Sequence, residues 1–457
     1  MSQPPAPSVR SPSAPRQLPR VLGFVDVIGI LVGTVIGSGI FIVPATIAAQ
    51  VKSPALILTV WVVGGLLSFF GALAFSELGA MYPQAGGMYV YLREAYGRLA
   101  AFLFGWTLFL VIDSGAIATL SMAFASKYLP YFVPLGPIAT KAVALAFIAF
   151  LVAVNYVGTR WGARLQNLLT AIKFVAIVSV CGAVFGFAKG EASHFVLPPA
   201  EWSPSLVGSF GVALVASLWA YKGWEAATFS TGELRDPERN LPLGLFAGSV
   251  LVIFLYVATN LAYLYVFPAG RIATSTRIAS DAMNAAVGAG GATFIAFIIL
   301  FSITGAANGN VLTAPRVFFA MASDGVFFRS LARVHPRFLT PSVAVLATGA
   351  WAGVLSLSGT FEQLATYVIF GQWIFFGLTV GAVIVLRKRS PDLPRPYQTW
   401  GYPVTPVIFI LAALYISVNT LITQPTNALA GILIIAIGLP AYCYWQRSGA
   451  VRVVDSG

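Results

Sequence analysis

Charge is scarce in this chain of 457 residues: Asp, Glu, Lys and Arg make up 9% of it, against 58% hydrophobic residues. A soluble domain carries roughly a quarter charged residues. With a mean hydropathy of +0.84, the chain reads as an integral membrane protein. Histidine is almost missing, and His194 and His335 both fall in loops, so no histidine relay crosses the membrane. The two cysteines, Cys181 and Cys443, lie in apolar stretches with no metal-ligand spacing, which sets aside a disulfide framework and a cysteine metal site. Acidic residues are outnumbered 15 to 27, giving a formal charge of +12. The basic residues are nevertheless spread through short loops, with no face or motif that would read nucleic acid. Deep in the apolar stretches only Asp113, Lys173 and Lys222 carry charge, too few for a nucleophile with its base or for a metal site, so the chain is not read as an enzyme. A channel needs a continuous polar pore or a repeated ring of filter carbonyls. No such repeat is visible.

What the chain does have is long apolar runs. Roughly 20 apolar residues cross a bilayer, and about twelve such spans are expected near 22–49, 54–81, 97–127, 137–157, 161–187, 204–232, 243–267, 289–313, 341–358, 361–386, 403–423 and 427–446. An even count puts both termini on one side. Assigning the loops alternately leaves nineteen Lys and Arg, Arg316 among them, on the side of the termini and six on the other. Basic residues near span ends stay cytoplasmic, so both termini are expected in the cytoplasm of a multi-pass cell-membrane protein. Residues 1–20, rich in Pro, Ser and Arg, read as a disordered tail and not as a signal peptide. The loops hold at most a short helix each.

The first span, VLGFVDVIGILVGTVIGSGIFIVPATIA, is interrupted midway by Gly37-Ser38-Gly39. Every backbone amide at that depth needs a partner, so such a break implies bound ligand or a cavity. Gly29, Gly33 and Gly37 also show the GxxxG spacing of close helix packing. A second interruption falls in the sixth span at Trp219-Ala220-Tyr221-Lys222-Gly223-Trp224. If the first and sixth spans are both broken, five helices precede the second break and an odd number inverts one half relative to the other. That is the pattern of inverted-repeat carriers, with the substrate at the paired breaks.

These segments resemble a known group. GTVIGSGIF (33–41), SELGAMYPQAGGMYVYLREAYG (76–97), LQNLLTAIKF (165–174), WAYKGWEAATFSTGELRDPERNLP (219–242) and GAANGNVLTAPRVFFAMASDG (305–325) are similar, in order, to the amino acid, polyamine and organocation (APC) superfamily. The L-type amino acid transporter branch, with its bacterial members, is the nearest match. The resemblance runs from about residue 20 to 446. It implies an all-α LeuT-type fold of twelve transmembrane helices: a ten-helix core over 21–386 (repeats 21–187 and 204–386), two further helices over 387–446, and a cytoplasmic tail over 447–457. It also implies transport by alternating access.

The chemistry of such a site follows from the residues. Amides freed around Gly37, Ser38 and Gly39 stand at the start of a half-helix whose dipole favours a carboxylate. Carbonyls freed at Val35 and Ile36, and at Trp219, Ala220 and Lys222, suit an ammonium group. One α-amino acid satisfies both sets, with no cofactor. In the resemblance, the aromatic at Trp219 gates the site, and Glu233 matches a glutamate that fixes the inner gate; Glu77 and Glu225 are read as cytoplasmic-side structure. Lys173 matches a fifth-helix lysine whose ammonium takes the place of a sodium ion in sodium-coupled relatives. This implies sodium-independent transport, either exchange or proton coupling. Lys222 argues against cationic substrates by like-charge repulsion. Asp113 could neutralise it, as a structural ion pair, a titrating pair, or a device selecting small neutral or acidic amino acids. Eukaryotic L-type relatives attach a heavy chain through a cysteine in the loop between the third and fourth spans. Here that loop reads YLPYFVPLG, so no disulfide-linked partner is expected.

Overall fold

A computed structural model describes residues 18–195, 204–358, 361–423 and 425–447. Most of the two expected tails, at 1–20 and 447–457, lies outside the described residues. Within them the chain is helical throughout, with no strand and one parallel backbone bridge between Leu22 and Leu234. Among the described residues nine helices are long and apolar enough to cross a membrane, and the bent pair Phe24–Val35 and Gly39–Val51, taken as one span, makes a tenth. Two shorter apolar helices, Leu206–Ala220 and Ser342–Ser358, occupy the sixth and ninth positions. Prolines open several spans, among them Pro54, Pro137 and Pro237. At the first helical position a missing N–H costs nothing, because that amide has no intrahelical acceptor anyway.

The eighth span, expected to end near 313, runs on as Ala289–Ser323. Its charged residue Arg316 looked like a loop marker but lies fully buried inside the helix. A charge survives there because an acidic partner meets it. Among the described residues, three α-helices lie outside the spans, Met88–Tyr96, Ala269–Thr274 and Ile278–Val287, beside short 3-10 turns such as Ala192–Phe195 and Arg329–Ala332.

The first span sits in the middle of the bundle because its glycines let neighbours approach. A Cβ on Gly29 would lie 1.9 Å from Asn167 Oδ1, and one on Gly33 2.2 Å from Gln166 Nε2 and from Thr170 Oγ1. These two glycines therefore serve packing against the fifth span, Thr159–Phe187. Gly37 does not: the nearest atom to its added Cβ is Ala306 Cβ at 3.5 Å. A buried chain of carboxamides ties the same helices together, with Asn155 Nδ2 donating to Asn308 Oδ1 (2.9 Å), Asn308 Nδ2 to Gln166 Oε1 (2.8 Å) and Gln166 Nε2 to the Gly29 carbonyl (3.4 Å). Fourth, eighth, fifth and first spans are thus joined through groups that lipid could not satisfy.

Candidate functional site: two helix breaks facing one cavity

Helix Phe24–Val35 stops where Ile36 leaves helical geometry (φ −75°, ψ 84°), and Ser38 caps the next helix, Gly39–Val51. The two halves meet at 47°. The first backbone bond of the second half is Phe41 N–H to the Ser38 carbonyl (3.1 Å). The amides of Ser38, Gly39 and Ile40 are left without an acceptor among the described residues, at the positive end of a helix. The buried Ser38 hydroxyl is likewise unpartnered.

The carbonyls on the other side of this break are engaged. Lys173, 1% exposed, donates from Nζ to the Gly33 and Ile36 carbonyls at 2.6 Å each. The Ser302 hydroxyl lies 3.0 Å from the carbonyls of both Ile36 and Gly37. Gly305 makes the room: a Cβ there would stand 2.7 Å from Lys173 Nζ. The Lys173 amine from the fifth span therefore caps the C-terminal end of the first half-helix, where the dipole is negative, against the eighth span. The Val35 carbonyl accepts from Gly37 N–H (2.8 Å) and faces the Tyr256 hydroxyl (3.1 Å). Val35 and Ile36 thus differ from the expectation that their carbonyls stand open, because lysine, serine, tyrosine and a local turn reach them first.

The sixth span ends at Ala220, and a turn leads to the short helix Ala226–Phe229. Gly223 holds φ +119° within that turn, and a Cβ on it would meet Thr34 at 2.7 Å. Only glycine is comfortable there. The Tyr256 hydroxyl is also 3.1 Å from the Ala220 carbonyl, so it links the two breaks. Backbone presses on backbone at this point: a Cβ on Gly39 would lie 2.9 Å from the Ala220 Cα. Apart from Tyr256, the Trp219 carbonyl takes the Lys222 amide (3.2 Å), and the Lys222 carbonyl takes no donor among the described residues. These three carbonyls keep capacity for an ammonium group.

Between the breaks lies a cavity of about 70 Å³, lined by Thr34, Val35, Gly37, Ser38, Gly39, Ala116, Thr119, Leu120, Trp219, Ala220, Lys222, Gly223, Ala306 and Asn310. Seven sequence-derived candidates share it: Val35, Gly37, Ser38, Gly39, Trp219, Ala220 and Lys222. Ile36 and Lys173 stand behind the first break instead. Asp113 stands behind Lys222, with Oδ1 at 3.8 Å from Nζ. Asp113 follows a π-helical turn, Leu108–Ile112, in the third span, a distortion common at functional sites. Glu225, read as cytoplasmic structure, instead belongs to this turn, where it accepts from Gly223 N–H (3.1 Å) and from Gln372 Nε2 of the tenth span (2.5 Å).

Glu233 lies apart from the cavity in a fully buried pair with Arg316, Oε2 to Nε 2.6 Å and Oε1 to Nη2 3.2 Å. Thr159 Oγ1 bridges both side chains at 2.7 and 2.8 Å. The Glu233 carbonyl holds the amides of Val21 and Leu22 at 2.8 and 2.9 Å, so the segment leading into the first span is pinned to the end of the sixth. Glu77, elsewhere, is a second buried carboxylate, bound bidentately by Arg387 (2.8 and 2.7 Å). Among the described residues no cluster of His, Cys, Asp and Glu could hold a metal ion.

Sequence reasoning missed Tyr256, Ser302, Asn310, Gln372 and Arg316. Each is a single polar residue in an apolar run, and only its partner shows its place.

The geometry brings together helix-start amides for a carboxylate and break carbonyls for an ammonium group. The family profile described as amino acid permease matches residues 22–439. The human b(0,+)-type amino acid transporter 1 is 35% identical over 93% of this chain and 88% of its own. The serine/threonine exchanger SteT of Bacillus subtilis (strain 168) is 33% identical over 93% and 96%, and the human cystine/glutamate transporter 31% over 93% and 85%. The chain belongs to the amino acid permease family, and is a membrane transporter with that family's twelve-helix LeuT-type fold.

Proposed function

We propose that the protein is a sodium-independent exchanger of neutral amino acids, working by alternating access about the paired breaks. The observation that carries this reading is Lys173 Nζ on the Gly33 and Ile36 carbonyls, an amine built in among the first, fifth and eighth helices. A sodium ion has no role left at that position. The amino acid's carboxylate lies at the amides of Ser38, Gly39 and Ile40, its ammonium at the Trp219, Ala220 and Lys222 carbonyls, and Trp219 closes over it. Glu233 with Arg316 forms the inner gate. Residues 21–187 and 204–386 act as two inverted halves, with 387–446 peripheral.

Exchange is supported by the relatives, since one of them is named as an exchanger. The basic residues of the loops favour both termini in the cytoplasm and residence in the cell membrane. No disulfide-linked heavy chain is involved, because neither Cys181 nor Cys443 lies in the loop between the third and fourth spans. Proteoliposomes test the coupling. Uptake of a labelled amino acid into vesicles preloaded with unlabelled amino acid will exceed uptake into empty vesicles at least ~10-fold, the ratio for an energy difference of about 1.4 kcal/mol. Equal uptake into empty vesicles driven by an inward proton gradient would replace exchange by proton symport.

A further inference from the structure

Two side chains in the cavity have hydrogen-bonding capacity that the protein does not use. Lys222 lines the cavity with its side chain 16% exposed, and its nearest acidic partner, Asp113 Oδ1, is 3.8 Å away. That separation balances charge but is too long for a hydrogen bond. Its Nζ donates no hydrogen bond among the described residues. Asn310, from the eighth span, lines the same cavity. Its Nδ2 donates back to the Ala306 carbonyl at 3.0 Å, and its Oδ1 accepts from no described residue. One pure donor and one acceptor therefore share a space of about 70 Å³.

Each class of amino acid side chain meets this pair differently. A carboxylate can only accept, so it leaves the Asn310 carbonyl oxygen without a donor. An ammonium or guanidinium can only donate, and it meets the Lys222 charge directly. An apolar side chain leaves both groups unpaired when the site closes, at about 1–3 kcal/mol for each. A hydroxyl or carboxamide both donates and accepts. A cavity of about 70 Å³ favours a short one.

We infer that the site selects amino acids with a short neutral polar side chain, hydroxyl or carboxamide, which accepts from Lys222 Nζ and donates to Asn310 Oδ1. This rests on the reading of the paired breaks as the amino acid site, and it chooses among the neutral, small and acidic classes that Lys222 and Asp113 left open. The side chains of Lys222 and Asn310 then determine specificity, while the Lys222 backbone carbonyl remains one of the acceptors of the α-ammonium group.

Threonine and valine provide the test, since they share a shape and differ by a hydroxyl against a methyl. Thermal-shift titration of the purified full chain is expected to give a dissociation constant for L-threonine at least ~10-fold below that for L-valine, as one unpaired group at ~1.4 kcal/mol requires. In Asn310→Leu the ratio falls toward one. Equal constants for the two ligands in the unsubstituted protein overturn the selectivity. A wild-type protein whose melting responds to none of the twenty amino acids overturns instead the amino acid site on which it rests. Should Asn310→Leu not be recovered folded, the ratio in the unsubstituted protein, repeated with L-asparagine against L-leucine, decides alone.

Discussion

Replacing Lys173 with methionine will cut amino acid exchange in proteoliposomes at least ~100-fold, while the chain still assembles in the membrane. Methionine keeps most of the aliphatic stem and removes only the ammonium. The loss is two hydrogen bonds from a charged donor, each at 2.6 Å. Such bonds contribute about 1.5–3 kcal/mol apiece, and a decade of equilibrium corresponds to about 1.4 kcal/mol. The carbonyls of Gly33 and Ile36 are then left in a water-poor interior, and the angle between the two half-helices has lost its brace. The loss falls on the geometry that presents the Ser38 and Gly39 amides. Arginine will not restore activity, because a planar guanidinium cannot reproduce the point contact of Nζ with the Gly33 and Ile36 carbonyls. Exchange within ~3-fold of the unsubstituted protein in Lys173→Met, less than ~1 kcal/mol, would show that the ammonium does not shape the break.

Arg316→Met carries a comparable penalty by another route. Glu233 keeps its carboxylate in a site where both side chains of the pair are fully buried, and removing one partner of such a pair costs about 3–5 kcal/mol. The detergent-purified variant will melt several degrees below the unsubstituted protein. Adding Glu233→Gln to it recovers much of the difference, since no unpaired charge remains. A double variant no more stable than the single one would mean that the two residues do not act as a pair. The same pair is joined to the entry of the first span through Val21, Leu22 and the Glu233 carbonyl. Weakening it therefore loosens the segment that must move if the first half-helix swings.

Much of the fold was legible because its signals are local. A run of apolar residues long enough to span lipid declares a helix, and Gly37-Ser38-Gly39 declares a break, whatever the rest of the chain does. The sixth-span break was legible for the same reason, through Lys222 and Gly223. What stayed hidden depends on pairing across long stretches of chain. Arg316 reads as a loop charge until Glu233, eighty-three residues earlier, is placed against it, and with it the eighth span lengthens to Ser323. Tyr256 and Ser302 are ordinary polar residues in apolar helices until their hydroxyls are found on the carbonyls of the first break. The free-carbonyl reading of Val35 and Ile36 failed on these same contacts. Composition shows that a lysine is present at mid-membrane, but only the fold shows which acceptors it has already taken.

The account stands most directly on sodium. In proteoliposomes preloaded with amino acid, exchange measured after replacing sodium by choline on both faces will stay within ~2-fold of its value in sodium, less than ~0.5 kcal/mol, because in the proposed function Lys173 Nζ takes the place of a sodium ion behind the first break. A fall of ~10-fold or more, at least ~1.4 kcal/mol of sodium-dependent binding, would contradict it.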